Sequence, residues 1–239
     1  LRNKAMGTKE LLDKLEDQFK CTIHYDTVWR RRQKAMSKVY GNWEDNFQLL
    51  FRWKEEVLKR SPGSVIEIET RVVDGQVTFH RFFCALSPCI KGFKEGCRPY
   101  LSVDSTALNG KWNGHLDAAT TLDGHNWMYP VAYRFIDGEL EESCVWFMRM
   151  LHKVVGDLST LAICTDARKG LENVVKIVFS QAEQRGCFRH LMQNYIKKWG
   201  GDTHSKMYPA ARAYREEVFL QHMKGIVDTS KEILEWLNK

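Results

Sequence analysis

Two aspartates close apolar runs in this sequence. YLSVDSTALNG, residues 100–110, passes from strand-forming residues into Asp104 and then into small and polar ones; TLAICTD, residues 160–166, ends on Asp166. Asp is disfavoured inside strands and rarely buried without a partner. Alone, each has an ordinary structural reading: Asp104 as a strand-end residue capping a turn, Asp166 as the N-cap of a following helix. Together they carry more, provided that their strands lie side by side. Neighbouring strands are ~4.8 Å apart, and two carboxylates at that spacing repel each other unless a cation lies between them. A hard divalent ion such as Mg²⁺ or Mn²⁺ takes one or two carboxylates plus substrate phosphates. Such ions activate an attacking oxygen and stabilise a leaving one in phosphodiester chemistry.

The intervening sequence supplies the topology. After residues 100–104 come a turn at Asn109-Gly110, the stretch GHLDAATTLD, a turn at Asp123-Gly124 and NWMYPVAYRFI, which reads as an antiparallel three-strand meander. Pro130 lies inside the third strand and cannot donate to a ladder, which predicts a sheet edge there. Between Glu141 and Val155, Phe147, Met150, Leu151, Val154 and Val155 recur at helical spacing. TLAICTD is then apolar on both faces, as in a buried parallel strand, and KGLENVVKIVF reads as a helix. A right-handed crossover lays this fourth strand beside the first. Both carboxylates then emerge at the same end of the sheet.

The rest of the chain frames that unit. Residues 8–60 read as three helices, TKELLDKLEDQF, TVWRRRQKAMSKVYG and WEDNFQLLFRWKEEVLKR, closed by Ser61-Pro62-Gly63. Within them Arg30, Arg31, Arg32, Lys34 and Lys38 would spread positive charge over more than one helix face, which suits phosphate contacts or a solvated charged helix. VIEIET and QVTFHRFFCAL follow as a strand hairpin across Asp74-Gly75. The expected organisation is a helical module over 1–62, an α/β core over 63–190 and further helices over 191–239.

Composition sets outer limits. The 239 residues are 44% hydrophobic and 28% charged with a formal charge of +6, ordinary for a globular protein and compatible with a nucleic-acid partner. No apolar run approaches the ~18 residues of a membrane span. The first residues lack the apolar stretch of a signal peptide; with no initiator Met, the sequence reads as part of a longer chain. Seven scattered cysteines do not form a disulfide framework and fit a reducing compartment. Cys84, Cys144 and Cys164 read as small buried hydrophobes. His115 and His125 flank the second meander strand, as surface or core residues or at the rim of the site.

Several of these stretches recur together in one family. DSTALNG, DGHN, PVA, EESCVWF, TDARKGL and CFRH, in this order, closely resemble the transposase domain of plant Mutator-like elements, with the resemblance densest over 79–198. The resemblance implies an RNase H-like mixed sheet flanked by helices, with an N-terminal helical module and a C-terminal helical insertion. It further implies an Asp-Asp-Glu metal triad that cuts DNA and joins 3′ ends to a target, in the nucleus, with Mg²⁺ or Mn²⁺ as cofactor. DNA, as element terminal inverted repeats and target, is the implied partner, beside a homodimer. The first two acids map onto Asp104 and Asp166; the third is unassigned, and Glu216, Glu217, Glu232 and Glu235 read as solvated helix residues. Cys187 and His190 match the family's C-x-x-H. Two ligands fall short of the about four that zinc takes, which leaves them a packing role or one in organising the insertion. Lys169, after the second acid, is placed to contact the DNA backbone. Ser105 stands where the family usually has Gly, and Cys144 where it commonly has Trp; neither is a metal ligand. The alternative reading is a domesticated relative, like the plant far-red-response transcription factors, that binds DNA or partners without cutting.

Overall fold

The computed structural model describes residues 6–41, 43–108, 114–137, 141–166, 171–200, 204–228 and 231–237. The chain divides into two compact units, Leu1–Lys59 and Arg60–Lys239. In the first, the helical periodicity forms α1 (Thr8–Phe19), α2 (Tyr25–Tyr40) and α3 (Trp43–Arg60). The α1–α2 turn is tied by Glu16, whose carboxylate accepts the Ile23 backbone N–H at 2.8 Å. Arg32 is turned inward, and its Nε donates to the Met6 carbonyl at 3.2 Å. Arg30, Arg31, Lys34 and Lys38 stay exposed. At ~100° per residue these four occupy one sector of α2 about 100° wide. The cationic surface is therefore a single stripe, not the spread over several faces expected from the sequence.

In the second unit, Asp74 (φ 50°) and Gly75 (φ 76°) both take positive φ, the two-residue turn whose twist matches a hairpin. They join β1 (Val65–Val73) to β2 (Gln76–Ala85). A helix the sequence reading did not foresee follows, α4 (Ser87–Gly96), with Pro88 in its first turn. Gly92 is required there: a Cβ on it would collide with the Tyr129 hydroxyl, which donates to the Pro88 carbonyl at 3.1 Å. The meander forms as β3 (Tyr100–Ala107), β4 (His115–Leu122) and β5 (Met128–Ile136). The turn expected at Asn109-Gly110 lies outside the described residues. The crossover helix is α5 (Glu141–Val155), followed by β6 (Ala162–Thr165), α6 (Leu171–Val178) and a second unforeseen element, β7 (Glu183–Gly186). Four helices end the described chain: α7 (Phe188–Trp199), α8 (His204–Ala211), α9 (Glu216–Val227) and α10 (Lys231–Leu237).

Among the described residues the strands form one seven-stranded mixed sheet in the order β1-β2-β5-β4-β3-β6-β7. β3, β6 and β7 pair in parallel and all other neighbours antiparallel. One correction follows. Pro130 predicted an edge position for β5, yet β5 lies between β4 and β2. The ladder to β2 covers only residues 133–136 of β5, and the β4 ladder shifts register between Ala119 and Thr120, beside Pro130. The proline's missing donor thus falls where one ladder has ended and the other is interrupted, so the strand as a whole can be interior.

Side-chain alternation sorts the sheet into two faces. The register places Phe83, Arg134, Asp117, Val103 and Ile163 on one face, and Cys84, Tyr133, Ala118, Asp104 and Cys164 on the other. The first face packs against Phe147, Leu151, Val154 and Val155 of α5 and Val174 and Val175 of α6. In the helical stripe expected for α5, Met148 is buried and Met150 only partly so. Of the cysteines read as buried, Cys84 and Cys164 are, while Cys144 is half-buried with its Sγ 3.7 Å from an Arg134 nitrogen. A second core joins Met192 and Tyr195 of α7 to Met207, Ala210, Ile226 and Ile233 of the later helices.

Two arginines dock α5 on its face of the sheet. Arg134, 1% exposed, donates from Nε to Asp117 Oδ2 at 2.7 Å and from Nη1 to the Ser143 carbonyl, and lies 4.7 Å from the Phe147 ring centroid. Arg81 pairs with Glu69 at 2.6 Å and Glu142 at 3.5 Å, and lies 4.6 Å from the Trp146 ring centroid. The stretch EESCVWF is thereby explained as a docking surface, since Glu142, Ser143, Trp146 and Phe147 each meet a guanidinium. Removing one partner of a buried pair strands the other charge, which costs ~3–5 kcal/mol. Arg134→Met is expected to lower unfolding free energy in urea by about that amount. The double substitution Arg134→Met with Asp117→Leu should cost less than either single change, because neither leaves a buried charge. A double variant less stable than both singles would contradict this account of the pair.

Candidate functional site

The β3–β6 ladder positions the two aspartates. Its parallel register runs Tyr100↔Ala162, Leu101↔Ile163, Ser102↔Cys164 and Val103↔Thr165. The last rung is Val103↔Thr165, so Asp104 and Asp166 are the residues that directly follow it on the two strands, and Asp104 belongs to the face away from α5. The Asp104 side chain is 56% exposed, and its Oδ1 accepts the Ser105 backbone N–H at 2.9 Å. Its Oδ2 takes no hydrogen bond from a described residue. Asp166 is half-buried.

The C-x-x-H stretch arrives at the same sheet end. The Cys187 N–H donates to the Thr165 carbonyl at 2.7 Å, extending the β6–β7 ladder, and Cys187 is then the N-cap of α7. His190 follows within the first turn, and its Nε2 lies 3.8 Å from Asp104 Oδ1. Its Nδ1 is buried with no hydrogen-bond partner among the described residues. This contact was not foreseen; the i, i+3 spacing after a strand end was the available signal, but nothing in it says which carboxylate the ring meets.

One step back along the same face lies a neutral polar layer. Burial, and then a hydrogen bond with Cys164, pushes the Tyr100 phenol up to about 12. Burial likewise raises the Cys164 thiol, which neighbours Cys187. Neither sulfur chemistry nor phenolate chemistry is favoured by these surroundings, since the thiolate is the nucleophilic form.

Other sequence candidates are placed as follows. His125 belongs to the β4–β5 turn, at the opposite end of the meander from Asp104, and its backbone N–H is bound by Asp123 at 2.8 Å. His115 opposes Ala107 on β3, on the face away from Asp104. Glu216, Glu217, Glu232 and Glu235 are exposed on α9 and α10. Among the described residues no group of three or more His, Cys, Asp or Glu is set to hold a metal ion. Lys169 lies outside the described residues. Arg30, Arg31, Arg32 and Lys34 belong to the first unit, on α2.

No helix of the described chain is long and apolar enough to cross a membrane. A family model described as the MULE transposase domain matches residues 100–194, from the first residue of β3 into α7. The match therefore contains Asp104, Asp166, Cys187 and His190. Protein FAR1-RELATED SEQUENCE 6 of Arabidopsis thaliana is 30% identical over 99 residues, which is 41% of this chain and 14% of that protein. The chain thus spans only a small part of that relative's length. Over residues 100–194 the chain is thus similar to MULE transposase sequence, the likeness that the motifs implied.

Proposed function

We propose that this chain is the core of a DNA transposase of RNase H-like architecture, working by metal-dependent phosphodiester hydrolysis and 3′-end strand transfer. The observation that carries the reading is the parallel β3–β6 ladder, whose last rung, Val103↔Thr165, is followed on the two strands by Asp104 and Asp166. The strand order β5-β4-β3-β6-β7, a meander continued by two parallel strands, fits the RNase H-like core that the resemblance implies. Two hard oxygen donors, one of them with a carboxylate oxygen that no described residue engages, suit Mg²⁺ or Mn²⁺, which keeps several waters and substrate phosphates as its other ligands. Asp104 and Asp166 would hold the ion; when bound it supplies Lewis-acid activation of the attacking oxygen and charge neutralisation at the leaving one.

In the reaction so assigned, a water oxygen attacks phosphorus, the bond to the 3′ oxygen breaks, and that oxygen leaves as a 3′-hydroxyl after taking up a proton. The hydroxyl then attacks a target phosphodiester, releasing one target 3′ oxygen for each bond made. No side chain is acylated or phosphorylated in either step. The exposed stripe of Arg30, Arg31, Lys34 and Lys38 would neutralise DNA phosphates without reading sequence, and Lys169 would do so near the cut site. DNA, as terminal repeats and target, is the proposed partner; a homodimer and a nuclear location go with it. A second reading is favoured by the likeness to Protein FAR1-RELATED SEQUENCE 6. In it the chain is a domesticated derivative that binds DNA and regulates without cutting.

The two readings part on metal. Titration of Mn²⁺ by calorimetry is expected to give binding by the chain that Asp104→Asn and Asp166→Asn each remove. Binding that both variants retain would end the catalytic proposal. DNA binding is common to both readings and is testable separately by fluorescence anisotropy on duplex DNA at several salt concentrations. Each phosphate contact contributes a slope of about −0.9 in log affinity against log salt. The triple variant Arg30→Gln, Arg31→Gln, Lys34→Gln should therefore flatten the slope by about 2 to 3; an unchanged slope would remove α2 from the DNA interface.

A further inference from the structure

We infer that His190 is a positioning residue for Asp104, holding one carboxylate oxygen so that the other is presented to the metal. The inference rests on the metal reading of Asp104 and Asp166 and adds to it a role for the C-x-x-H stretch. Its starting point is a chain of short, directional links. β7 pairs with β6 in parallel, Gly186 opposing Thr165. The Cys187 N–H then takes the Thr165 carbonyl at 2.7 Å. That hydrogen bond fixes the first residue of the turn into α7 beside the residue that precedes Asp166. Leu191 N–H returns to the Cys187 carbonyl at 3.0 Å, which closes the first helical turn with His190 inside it.

The geometry at the ring then constrains its role. Nδ1 is buried with no hydrogen-bond partner among the described residues, whereas Nε2 is the nitrogen on the Asp104 side, 3.8 Å from Oδ1. A neutral imidazole has one N–H donor and one acceptor. The tautomer with the proton on Nε2 turns the donor toward the carboxylate; the other tautomer would turn a lone pair toward an anion. At 3.8 Å the ring touches without yet making a hydrogen bond, and a small rotation of the exposed Asp104 side chain closes the gap. Oδ1 already accepts the Ser105 N–H at 2.9 Å. A second donor on the same oxygen would lock the carboxylate plane and leave Oδ2 as the oxygen available to a metal. Histidine partners of this kind orient metal-binding carboxylates, and their loss costs ~10–100-fold in metal affinity.

A packing role for the C-x-x-H stretch predicts something different. If His190 only fills space, a leucine of similar volume replaces it, and Asp104 has no influence on the ring. The test therefore has two arms on the same chain. In the first, without metal and at one fixed pH, the ring-nitrogen NMR signals of His190 are compared between the wild type and Asp104→Asn. Asp104 is exposed, so this variant keeps the fold, and a displaced Nε2 signal is expected; an unmoved one overturns the inference. In the second, Mn²⁺ affinity is measured for His190→Leu and His190→Gln. Leucine is expected to weaken binding by about tenfold, while glutamine, whose amide nitrogen reaches the place of Nε2, stays within a few-fold of the wild type. Affinity unchanged by leucine, or reduced equally by both, overturns the inference. If the wild type binds no Mn²⁺, the metal reading falls and the first arm still decides whether His190 holds Asp104. If His190→Leu does not fold, the first arm decides likewise.

Discussion

The parallel pairing of β3 with β6 is the constraint on which the candidate site depends. Antiparallel neighbours run in opposite directions, so no pair within the meander could bring the two acids together at matching points of their strands. Asp104 does not end its strand as the sequence led one to expect: β3 continues to Ala107, held by β4, and it is the pairing with β6 that stops before Asp104. A parallel pair can match the two acids, but only in one register. With a side-chain period of two, a slip of one residue would carry Asp166 to the face covered by α5. The core prevents that slip. Leu101 and Ile163 oppose each other, both 0% exposed, and Val103 opposes Thr165, also 0% exposed, so the wrong register would expose apolar side chains and bury a carboxylate.

The crossover that makes the pairing parallel is itself held by charge. Apolar contacts from Phe147, Leu151 and Val155 press α5 onto the sheet, but such contacts have little directionality. Arg134 and Arg81 supply it, because a guanidinium offers donors in a fixed planar fork. Arg134 spans from Asp117 on β4 to the Ser143 carbonyl at the start of α5. Arg81 spans from Glu69 on β1 to Glu142. The beginning of the crossover is thus registered to four strands at once, counting β2 and β5, which carry the arginines. A buried pair such as Arg134–Asp117 adds little net stability over apolar residues of the same shape. What it adds is a defined position for the helix, and through the helix a defined entry into β6.

These relationships were unevenly legible in the amino-acid sequence. The strand periodicity of residues 100–136, the double-sided apolar character of TLAICTD and the helical spacing of 141–155 were enough, with crossover handedness, to pair β6 in parallel with β3. α4 was missed because SPCIKGFKEG carries a proline and two glycines, which weigh against a helix; Pro88 stands in the first turn, where proline is tolerated, and Gly92 is demanded by Tyr129. β7 was missed because Glu183, Gln184, Arg185 and Gly186 have no strand pattern of their own, and their conformation is imposed by the ladder to β6. Pro130 misled for the converse reason: a local rule about donors was applied to a whole strand, although the neighbouring ladder reaches only part of it. Arg134 stands at an inward position between the apolar Ala132 and Ile136 of β5, and that misplacement was the readable sign of a buried partner.

The polar layer behind the aspartates bears on how strongly they act. Tyr100 and Cys164 share the carboxylates' face one or two steps back, and burial keeps both in their neutral forms. A neutral, partly dehydrated floor lowers the local dielectric without contributing a competing anion. The attraction between a carboxylate and a cation rises as the dielectric falls, so under the proposed metal reading the floor would strengthen the hold of the two aspartates on the ion. A thiolate at Cys164 would instead add a softer anionic donor to the same face, one that suits softer metals. The burial that suppresses thiol chemistry at this sheet end is therefore the same feature that leaves oxygen, not sulfur, as the donor type presented there.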